Sequence, residues 1–187
     1  MDFIATGFPG LLVIKPDVFS DQRGYFFESF SEKKLSEGGI NLRFVQDNQS
    51  KSVFGVIRGL HYQLEPYAQA KLVRVLSGTI RDIAVDIRKG SPTFGKIYSF
   101  ELSCENKLQF FVPKGFAHGF AVLSETAVVL YKADNYYTPA AERGIHYKDG
   151  FLSIDWGIKN TEEIVAARDN AFPGFREAEM NFTFDRV

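Results

Sequence analysis

The hydrophobic pattern of this chain consists of short apolar runs separated by turn-forming residues. Runs rich in Val, Ile, Phe and Tyr recur along the sequence, and Gly, Pro, Asn and Ser interrupt them, as in an all-β sandwich or barrel. In the clearest run, 71–88, alternating positions lie on both sides of Gly78, which predicts a hairpin with one buried face. Further strands are predicted at 11–15, 24–30, 43–48, 55–63, 95–103, 107–112 and 118–133.

Helix signals are few in comparison. Residues 31–35 are predicted to open a short helix with Ser31 as its N-cap, and 161–167 to form another short helical turn. No internal repeat, low-complexity stretch or interdomain linker interrupts the pattern, so residues 1–187 are predicted to form a single domain. Because open sheet edges invite aggregation, about ten short strands favour a closed or double-sheet architecture.

Composition and charge narrow the class of protein. Hydrophobic residues make up 45% of the chain and aromatic residues 15%, which is enough for a packed core. Because the net charge is -1 and Lys and Arg are scattered, no nucleic-acid or membrane partner is predicted. Cys104 is the single cysteine and can form no internal disulfide. No stretch reaches the roughly 18–20 apolar residues of a membrane span, and residues 1–17 make a poor signal peptide, so a cytoplasmic location is expected.

Three histidines, His61, His118 and His146, are the first candidates for chemistry. A metal site in a β-barrel needs two closely spaced histidines with a third His or a carboxylate. Position 63, two residues after His61, is Gln, and neither of the other histidines has a paired neighbour. No metal or other cofactor is therefore predicted, and general-base catalysis is the chemistry that remains for a histidine. A structural histidine beside an apolar strand is the alternative.

A histidine base needs an acceptor that orients it, a group that stabilises the anion it creates and an acid that returns the proton. Asp169 in a loop-like segment, Lys71 at the start of an apolar strand and Tyr131 at the end of another are candidates for these roles. Taken singly, each of these residues is better explained without catalysis, as an exposed Asp, a Lys whose charge reaches solvent and a packed Tyr.

The segment around Gly59 carries a geometric prediction. Arg58 and His61 are three positions apart, so a regular strand would place their side chains on opposite faces. Gly59 lies between them, where a β-bulge would be least costly. If both side chains enter one pocket, this strand must depart from regular β geometry.

A second cluster of functional residue types lies at 21–28. Arg23 could bind a phosphate, Phe26 could stack on a base and Glu28 could accept a hydrogen bond from its edge. An amphipathic strand with an aromatic core face explains this composition equally well.

Several longer motifs occur in a fixed order over residues 3–175. They are DQRGYF at 21–26, FVQDNQS at 44–50, GVIRGLHYQ at 55–63, QAKLVRV at 69–75, DIRKGSPTFG at 86–95, VPKGFAHGF at 112–120 and ERGI at 142–145. In sequence and spacing these motifs resemble the dTDP-4-dehydrorhamnose 3,5-epimerase family. The resemblance implies a cupin-type β-barrel or jelly roll with a few short peripheral helices, usually dimeric, that works without metal or nicotinamide.

The implied reaction inverts dTDP-4-dehydro-6-deoxy-D-glucose at C3 and C5 to give dTDP-4-dehydro-L-rhamnose. By resemblance, His61 is the base and Asp169 its partner, Tyr131 is the acid on the opposite face of the sugar ring, and Lys71 stabilises the enolate oxygen. Tyr137 matches a position that stacks on the thymine. The other implied substrate contacts are Gln46, Asp47, Asn48, Arg58, His118, Glu142 and Arg168, together with Arg23, Phe26 and Glu28, which would hold the nucleotide and reach the site of a partner subunit.

Two departures and three alternatives accompany the resemblance. Arg168 stands where Lys is expected, which keeps the charge but changes the hydrogen-bond geometry, and 146–150 departs from the usual aromatic-Asn-Asp-Pro pattern. The nearest alternative is an epimerase that acts at C3 only or at C5 only. A non-catalytic cupin that binds sugar nucleotides and a metal-dependent cupin enzyme are the others.

Overall fold

Two facing sheets contain most strands of the computed structural model, which describes residues 1–159 and 161–184. The first sheet has the order β1 (Asp2–Ala5), β2 (Leu12–Lys15), β10 (Gln109–Val112), β7 (Lys71–Ser77), β12 (Thr126–Ala133) and β5 (Gln46–Val53). The second has the order β13 (Glu142–Gly144), β6 (Val56–Gln63), β11 (Phe116–Val122), β8 (Thr79–Asp86) and β9 (Ile97–Ser103). All these neighbours are antiparallel.

The remaining elements are short and peripheral. β3 (Phe19–Asp21) and β4 (Gly24–Phe26) form a hairpin outside both sheets, and β14 (Ile164–Val165) pairs in parallel with β6. The helices are α1 (Glu32–Glu37) and the single turn α2 (Ala167–Asn170), and Pro139–Ala141 forms a 3-10 turn. No helix among the described residues is long and apolar enough to cross a membrane.

Apolar side chains are buried in three layers around the two sheets. Val73 and Phe110 of the first sheet pack against Ile80 and Phe120 of the second, which forms the interior between them. A second layer covers the outer face of the second sheet with residues from 145–182, and α1 covers the outer face of the first sheet. The prediction of an all-β jelly-roll barrel with few short helices is confirmed.

The predicted hairpin at 71–88 is wrong in its pairing. β7 and β8 follow each other closely, but they lie in different sheets, and Gly78, with φ of +80°, connects the sheets. Both faces of β8 are buried, because Ala84 packs in the interior while Ile83 and Val85 pack in the outer layer. Alternation along one strand shows which residues share a face, but it does not identify the neighbouring strand.

Several predicted boundaries also differ from the structure. The strand predicted at 24–30 ends at Phe26, the one at 43–48 is shifted to Gln46–Val53, and the run 118–133 is divided into β11 and β12. The predicted helix at 31–35 is confirmed, with the Ser31 side chain accepting a hydrogen bond from the Lys34 backbone. The helical turn predicted at 161–167 is wrong, because Ile164 and Val165 pair with β6 and the helix begins only at Ala167.

Candidate active site

A cavity of about 440 Å³ opens in the interior between the two sheets. The structure brings together there most of the residues singled out in the sequence: Gln46, Asn48, Arg58, His61, Lys71, His118, Tyr131, Tyr137, Glu142 and Arg168. Asp169 lies directly behind His61. Residues that are far apart in the sequence converge here because β5, β6, β7, β11 and β12 all border the same interior.

The His61–Asp169 pair is the most defined feature of this cavity. His61 Nε2 lies 2.8 Å from Asp169 Oδ1, and Asp169 Oδ2 accepts a hydrogen bond of 3.2 Å from the Gly59 backbone N–H. The Nδ1 atom of His61 forms no hydrogen bond with any residue that the structure describes. The ring of Phe172 packs edge-on against the imidazole at 5.6 Å between centroids. A carboxylate that holds one ring nitrogen in this way leaves the other free to accept a proton.

Local pairing explains why Asp169 reaches His61. Val165 of β14 pairs with Ile57 of β6, and α2 begins two residues later, beside the cavity. Asp169 is buried, which acts to raise its pKa, but hydrogen bonds from His61 and Gly59 and the charge of Arg168 hold that pKa below its ordinary value. The carboxylate is therefore ionised at neutral pH.

The segment Arg58–His61 has the bulge that its sequence predicts. His118 of β11 pairs with His61, while Phe120 pairs with Arg58, so two residues of β6 oppose Gly119 alone. Gly59 has φ of +136°, and a Cβ atom at this position would lie 2.5 Å from Gly119 Cα. Arg58 and His61 both line the cavity, as predicted, and Arg58 Nε donates a hydrogen bond of 3.0 Å to Ser52 Oγ.

Lys71 and Tyr131 approach the same cavity from the facing sheet. Lys71 belongs to β7 and Tyr131 to the adjacent β12, and Lys71 Nζ lies 5.8 Å from the centroid of the tyrosine ring. Burial lowers the pKa of Lys71 to about 8, although the carboxylates of Asp82 and Glu142 act in the opposite direction. Burial and the charge of Glu142 raise the pKa of Tyr131, so its hydroxyl keeps its proton at neutral pH.

A hydrogen-bonded group of side chains lies at the mouth of the cavity. Glu142 Oε2 accepts hydrogen bonds from Tyr137 Oη at 2.7 Å and from Arg168 Nη1 at 2.9 Å. The bond to Glu142, followed by burial, raises the pKa of Tyr137. Arg168 Nε also lies 3.4 Å from Asp169 Oδ1, so the arginine at position 168 connects the mouth with the His61–Asp169 pair.

Polar residues of β5 hold the loop that carries Tyr137. Gln46 Oε1 accepts a hydrogen bond from the Tyr137 backbone N–H, and its amide donates to Asn48 Oδ1. Asp47 lies between them in sequence, so its side chain points to the other face of the strand. There Lys132 Nζ lies 2.9 Å from both carboxylate oxygens of Asp47, and the cavity does not include this residue.

The residues of the second sequence cluster lie outside the cavity. Arg23 and Phe26 are on the hairpin β3–β4, where Arg23 pairs with Asp21 and Phe26 is 70% exposed. Glu28 forms a salt bridge of 3.1 Å with Lys34. The alternative interpretation of this cluster, a strand with an aromatic core face, does not describe the structure, because the aromatic rings of this hairpin face solvent.

Three residues of the site were not identified in the sequence. Asp82 Oδ1 lies 2.6 Å from His118 Nε2, and Ser52 accepts a hydrogen bond from Arg58. Gln63 accepts a hydrogen bond from the Thr138 backbone, next to Tyr137. Asp82 and Gln63 are polar residues on mostly buried strands, which is a weak signal, whereas Ser52 lies among other polar residues of β5 and gives none. His146 makes a local turn contact with the Lys148 backbone and does not line the cavity.

The described residues contain no cluster of three or more His, Cys, Asp or Glu side chains with the arrangement of a metal site. What the cavity offers instead is a histidine backed by a carboxylate on one sheet, and a lysine and a tyrosine on the other. Fold and cavity together define a jelly-roll protein with a site suited to general acid–base catalysis.

Comparison with known proteins identifies the family within that class. The family of dTDP-4-dehydrorhamnose 3,5-epimerases matches residues 5–177, and this chain belongs to it. The dTDP-4-dehydrorhamnose 3,5-epimerase of Shigella flexneri is 54% identical over 161 residues, which cover 86% of this chain and 89% of that protein. The resemblance seen in the sequence motifs is thereby confirmed.

Two solved structures agree with the fold. The crystal structure of dTDP-4-dehydrorhamnose 3,5-epimerase from Elizabethkingia anophelis NUHP1 is 52% identical, with a TM-score of 0.91 over 95% of this chain and 97% of that one. The dTDP-6-deoxy-D-glucose-3,5-epimerase of Legionella pneumophila Philadelphia 1, in complex with dTDP-4-keto-L-rhamnose, is 48% identical. Its TM-score is 0.90, and the match covers 94% of this chain and 93% of that one.

Proposed function

We propose that this protein converts dTDP-4-dehydro-6-deoxy-D-glucose into dTDP-4-dehydro-L-rhamnose by inverting C3 and C5. The observation that carries this proposal is the placement of His61, held by Asp169 of α2, on one sheet and of Tyr131 and Lys71 on the facing sheet, around one cavity. Membership of the family and the sugar nucleotide held by the Legionella relative support the substrate.

The first step is loss of a proton from carbon. The 4-keto group acidifies the C–H bonds at C3 and C5, because the electron pair left behind is delocalised onto the keto oxygen as an enolate. His61 takes the proton on Nδ1, while Asp169 holds Nε2 and stabilises the imidazolium that forms. The Lys71 ammonium stabilises the enolate oxygen, a kind of interaction worth about 3 kcal/mol or more in comparable sites.

The second step returns a proton to the opposite face of the ring. Tyr131 donates its hydroxyl proton to the enolate carbon, the keto group is restored, and the stereocentre is inverted. The raised pKa of Tyr131 means that the hydroxyl still holds its proton at neutral pH when the enolate forms. His61 then releases its proton to solvent and Tyr131 regains one, which resets the site for the other carbon.

Substrate binding uses the charged and aromatic residues at the mouth. Arg58 and Arg168 provide positive charge for the diphosphate, and Tyr137 provides a face for the thymine. We assign Arg23, Phe26 and Glu28 to the nucleotide site of a partner subunit in a homodimer, which the exposure of the β3–β4 hairpin supports. We also predict that residues 1–187 form a single domain, that catalysis needs no metal and that the protein is cytoplasmic.

Proton NMR of the reaction in D2O tests this function. We expect deuterium to enter at both C3 and C5 as the product signals appear, because each inversion returns a solvent-derived proton. Label at one carbon only would favour a C3-only or C5-only epimerase. Absence of exchange with tight substrate binding would favour a non-catalytic binder, and stoichiometric metal in elemental analysis would contradict the metal-free mechanism.

A further inference from the structure

The cavity contains a second histidine–carboxylate pair next to the first. His61 and His118 are direct partners across β6 and β11, and both line the cavity. His118 Nε2 lies 2.6 Å from Asp82 Oδ1, as His61 Nε2 lies 2.8 Å from Asp169 Oδ1. The second pair is the more deeply buried, since Asp82 is completely inaccessible and His118 is 6% exposed.

The two carboxylates differ in how completely they are satisfied. Asp169 has partners for both oxygens, whereas Asp82 Oδ2 is buried without any hydrogen-bond partner among the described residues. A buried carboxylate oxygen in this state is costly unless an opposite charge lies nearby. The placement of Asp82 therefore needs an electrostatic explanation beyond its bond to His118.

Lys71 is the cation that shares this interior. Asp82 has the same strand parity as Ile80 and Ala84, and both of these pack between the sheets. Lys71 has the same parity as Val73, which packs in the same interior from the facing sheet. No described carboxylate forms a direct salt bridge with Lys71.

We propose that Asp82 is a positioning residue of this site, which fixes the His118 ring through Oδ1 and supplies the negative charge that keeps Lys71 cationic. This inference rests on the proposed function, in which Lys71 must carry a proton to stabilise the enolate. The carboxylate acts through Lys71 and His118, because its complete burial prevents contact with the substrate.

The other charged and titratable groups around the cavity do not replace Asp82. Glu142 and Asp169 are the other anions near the cavity, but Glu142 Oε2 already binds Tyr137 and Arg168, and both oxygens of Asp169 are bound by His61 and Gly59. The remaining charged and titratable side chains that line the cavity carry no negative charge at neutral pH: Arg58, Arg168, His61, His118, Tyr62, Tyr131 and Tyr137. Burial lowers the pKa of Lys71 to about 8, and the carboxylate of Asp82 opposes this effect. Removal of that carboxylate would therefore deprotonate Lys71 at a lower pH.

The direct test is an NMR titration of Lys71 in enzyme labelled with 13C at the lysine Cε atoms, with the signal assigned from Lys71→Arg. We expect a midpoint near pH 8 in the wild type and a midpoint lower by about 1 pH unit in Asp82→Asn, the size of shift that one nearby charge produces. The pH at which kcat falls on the alkaline side should shift by the same amount. At the wild-type midpoint, the smaller protonated fraction of Lys71 in the variant should therefore lower kcat about fivefold.

Asp86→Asn is the matched control. Asp86 lies on the same strand and is also completely buried, but Arg88, Ser91 and Thr93 bind it. This substitution should lower stability and leave the Lys71 midpoint unchanged. Asp82→Ser provides a second neutral variant.

A folded Asp82 variant with a wild-type midpoint would overturn the proposal. Failure of both variants to fold would also overturn it, because Asp82 would then be a residue required for the fold. The titration does not depend on turnover, so a wild type that fails to epimerise would reject the proposed function without deciding the role of Asp82.

Discussion

Asp169 has two acceptor functions that a neutral amide cannot reproduce together. One oxygen holds His61 Nε2 and the other accepts the Gly59 N–H inside the bulge. An asparagine at this position has only one oxygen. If that oxygen keeps the Gly59 bond, the amide N–H2 faces His61 and favours the tautomer with its proton on Nδ1, the atom that should accept the substrate proton.

Asp169→Asn should therefore lose most of its activity while remaining folded. We expect kcat to fall by about 10²–10⁴-fold, the range typical of losing a positioned general base, with a smaller change in KM. Steady-state kinetics and circular dichroism measure the two effects. Activity within tenfold of the wild type would contradict the role assigned to the pair.

The buried charge of Lys71, which the proposed mechanism needs, is expected to lower the free energy of unfolding. Its folded-state pKa of about 8 lies below the ordinary value of 10.5, so the unfolded chain binds this proton more tightly. The free energy of unfolding consequently rises as the pH increases from about 8 to 10.5. Below about pH 8 Lys71 is charged in both states, and the destabilisation from burying its charge is complete.

Lys71→Met should be more stable than the wild type and inactive. The lowered pKa of Lys71 corresponds to about 3 kcal/mol of stability at neutral pH, and the difference between the variant and the wild type should shrink as the pH approaches the unfolded-state pKa. Urea unfolding at neutral and at alkaline pH measures it. A variant that is less stable than the wild type at neutral pH would show that the ammonium is already well compensated.

At the scale of elements, the bulge in β6 determines which side chains enter the cavity. Strand parity would separate Arg58 from His61, and the extra residue opposite Gly119 brings both to one side. Two features exclude a side chain at position 59, the positive φ of the glycine and the close approach of the β11 backbone.

Gly59→Ala should lower the free energy of unfolding more than an alanine substitution at a glycine that has a positive φ but no close backbone neighbour. Gly24 has a similar φ of +126°, but a Cβ atom there would meet nothing within 4 Å. We expect Gly24→Ala to cost about 1–2 kcal/mol from backbone strain and Gly59→Ala clearly more, with loss of activity. Equal free energies of unfolding for the two variants would show that the approach of β11 is unimportant.

Features of the elements that depend on neighbouring residues could be predicted from the sequence, whereas features that depend on distant residues could not. The bulge and the Ser31 cap could be predicted because a few neighbouring residues determine each of them. The pairing of β7 and β8 could not, because alternation is the same whichever sheet a strand joins. The turn predicted at 161–167 failed because pairing with β6 outweighs a weak local helix preference.

At the scale of the molecule, the cavity depends on contacts between residues more than a hundred positions apart. His61 and Asp169 are an example: the sequence offered Asp169 as one candidate partner for a histidine base, and the family resemblance assigned it to His61. Asp82 carried no such signal and emerged only from the packing of the two sheets. The sequence thus predicted the chemical types in the site better than their supporting partners.

The exposed β3–β4 hairpin belongs to the same scale. Phe19 is 66% exposed, Tyr25 59% and Phe26 70%, an aromatic surface that a dimer would cover. Arg23 and Phe26 lie outside the cavity of their own chain, so their predicted contact with the nucleotide requires a second subunit.

Mixing two inactive variants tests this sharing of the site. In a hybrid of His61→Ala and Phe26→Ala subunits, one of the two sites would have both residues intact. After random exchange we expect about one quarter of wild-type activity from a mixture whose components are nearly inactive alone. Absence of recovery, with hybrid dimers shown by native mass spectrometry, would place Phe26 outside the partner's site.

The central claim is that His61 and Tyr131 act on opposite faces of one sugar ring, and Tyr131→Phe in D2O tests it most directly. The variant keeps the base but lacks the acid, so His61 should remove a proton and return deuterium to the same face. We predict by NMR that deuterium enters the substrate while its configuration is retained. Inversion at a rate close to that of the wild type, or loss of exchange together with inversion, would contradict this arrangement.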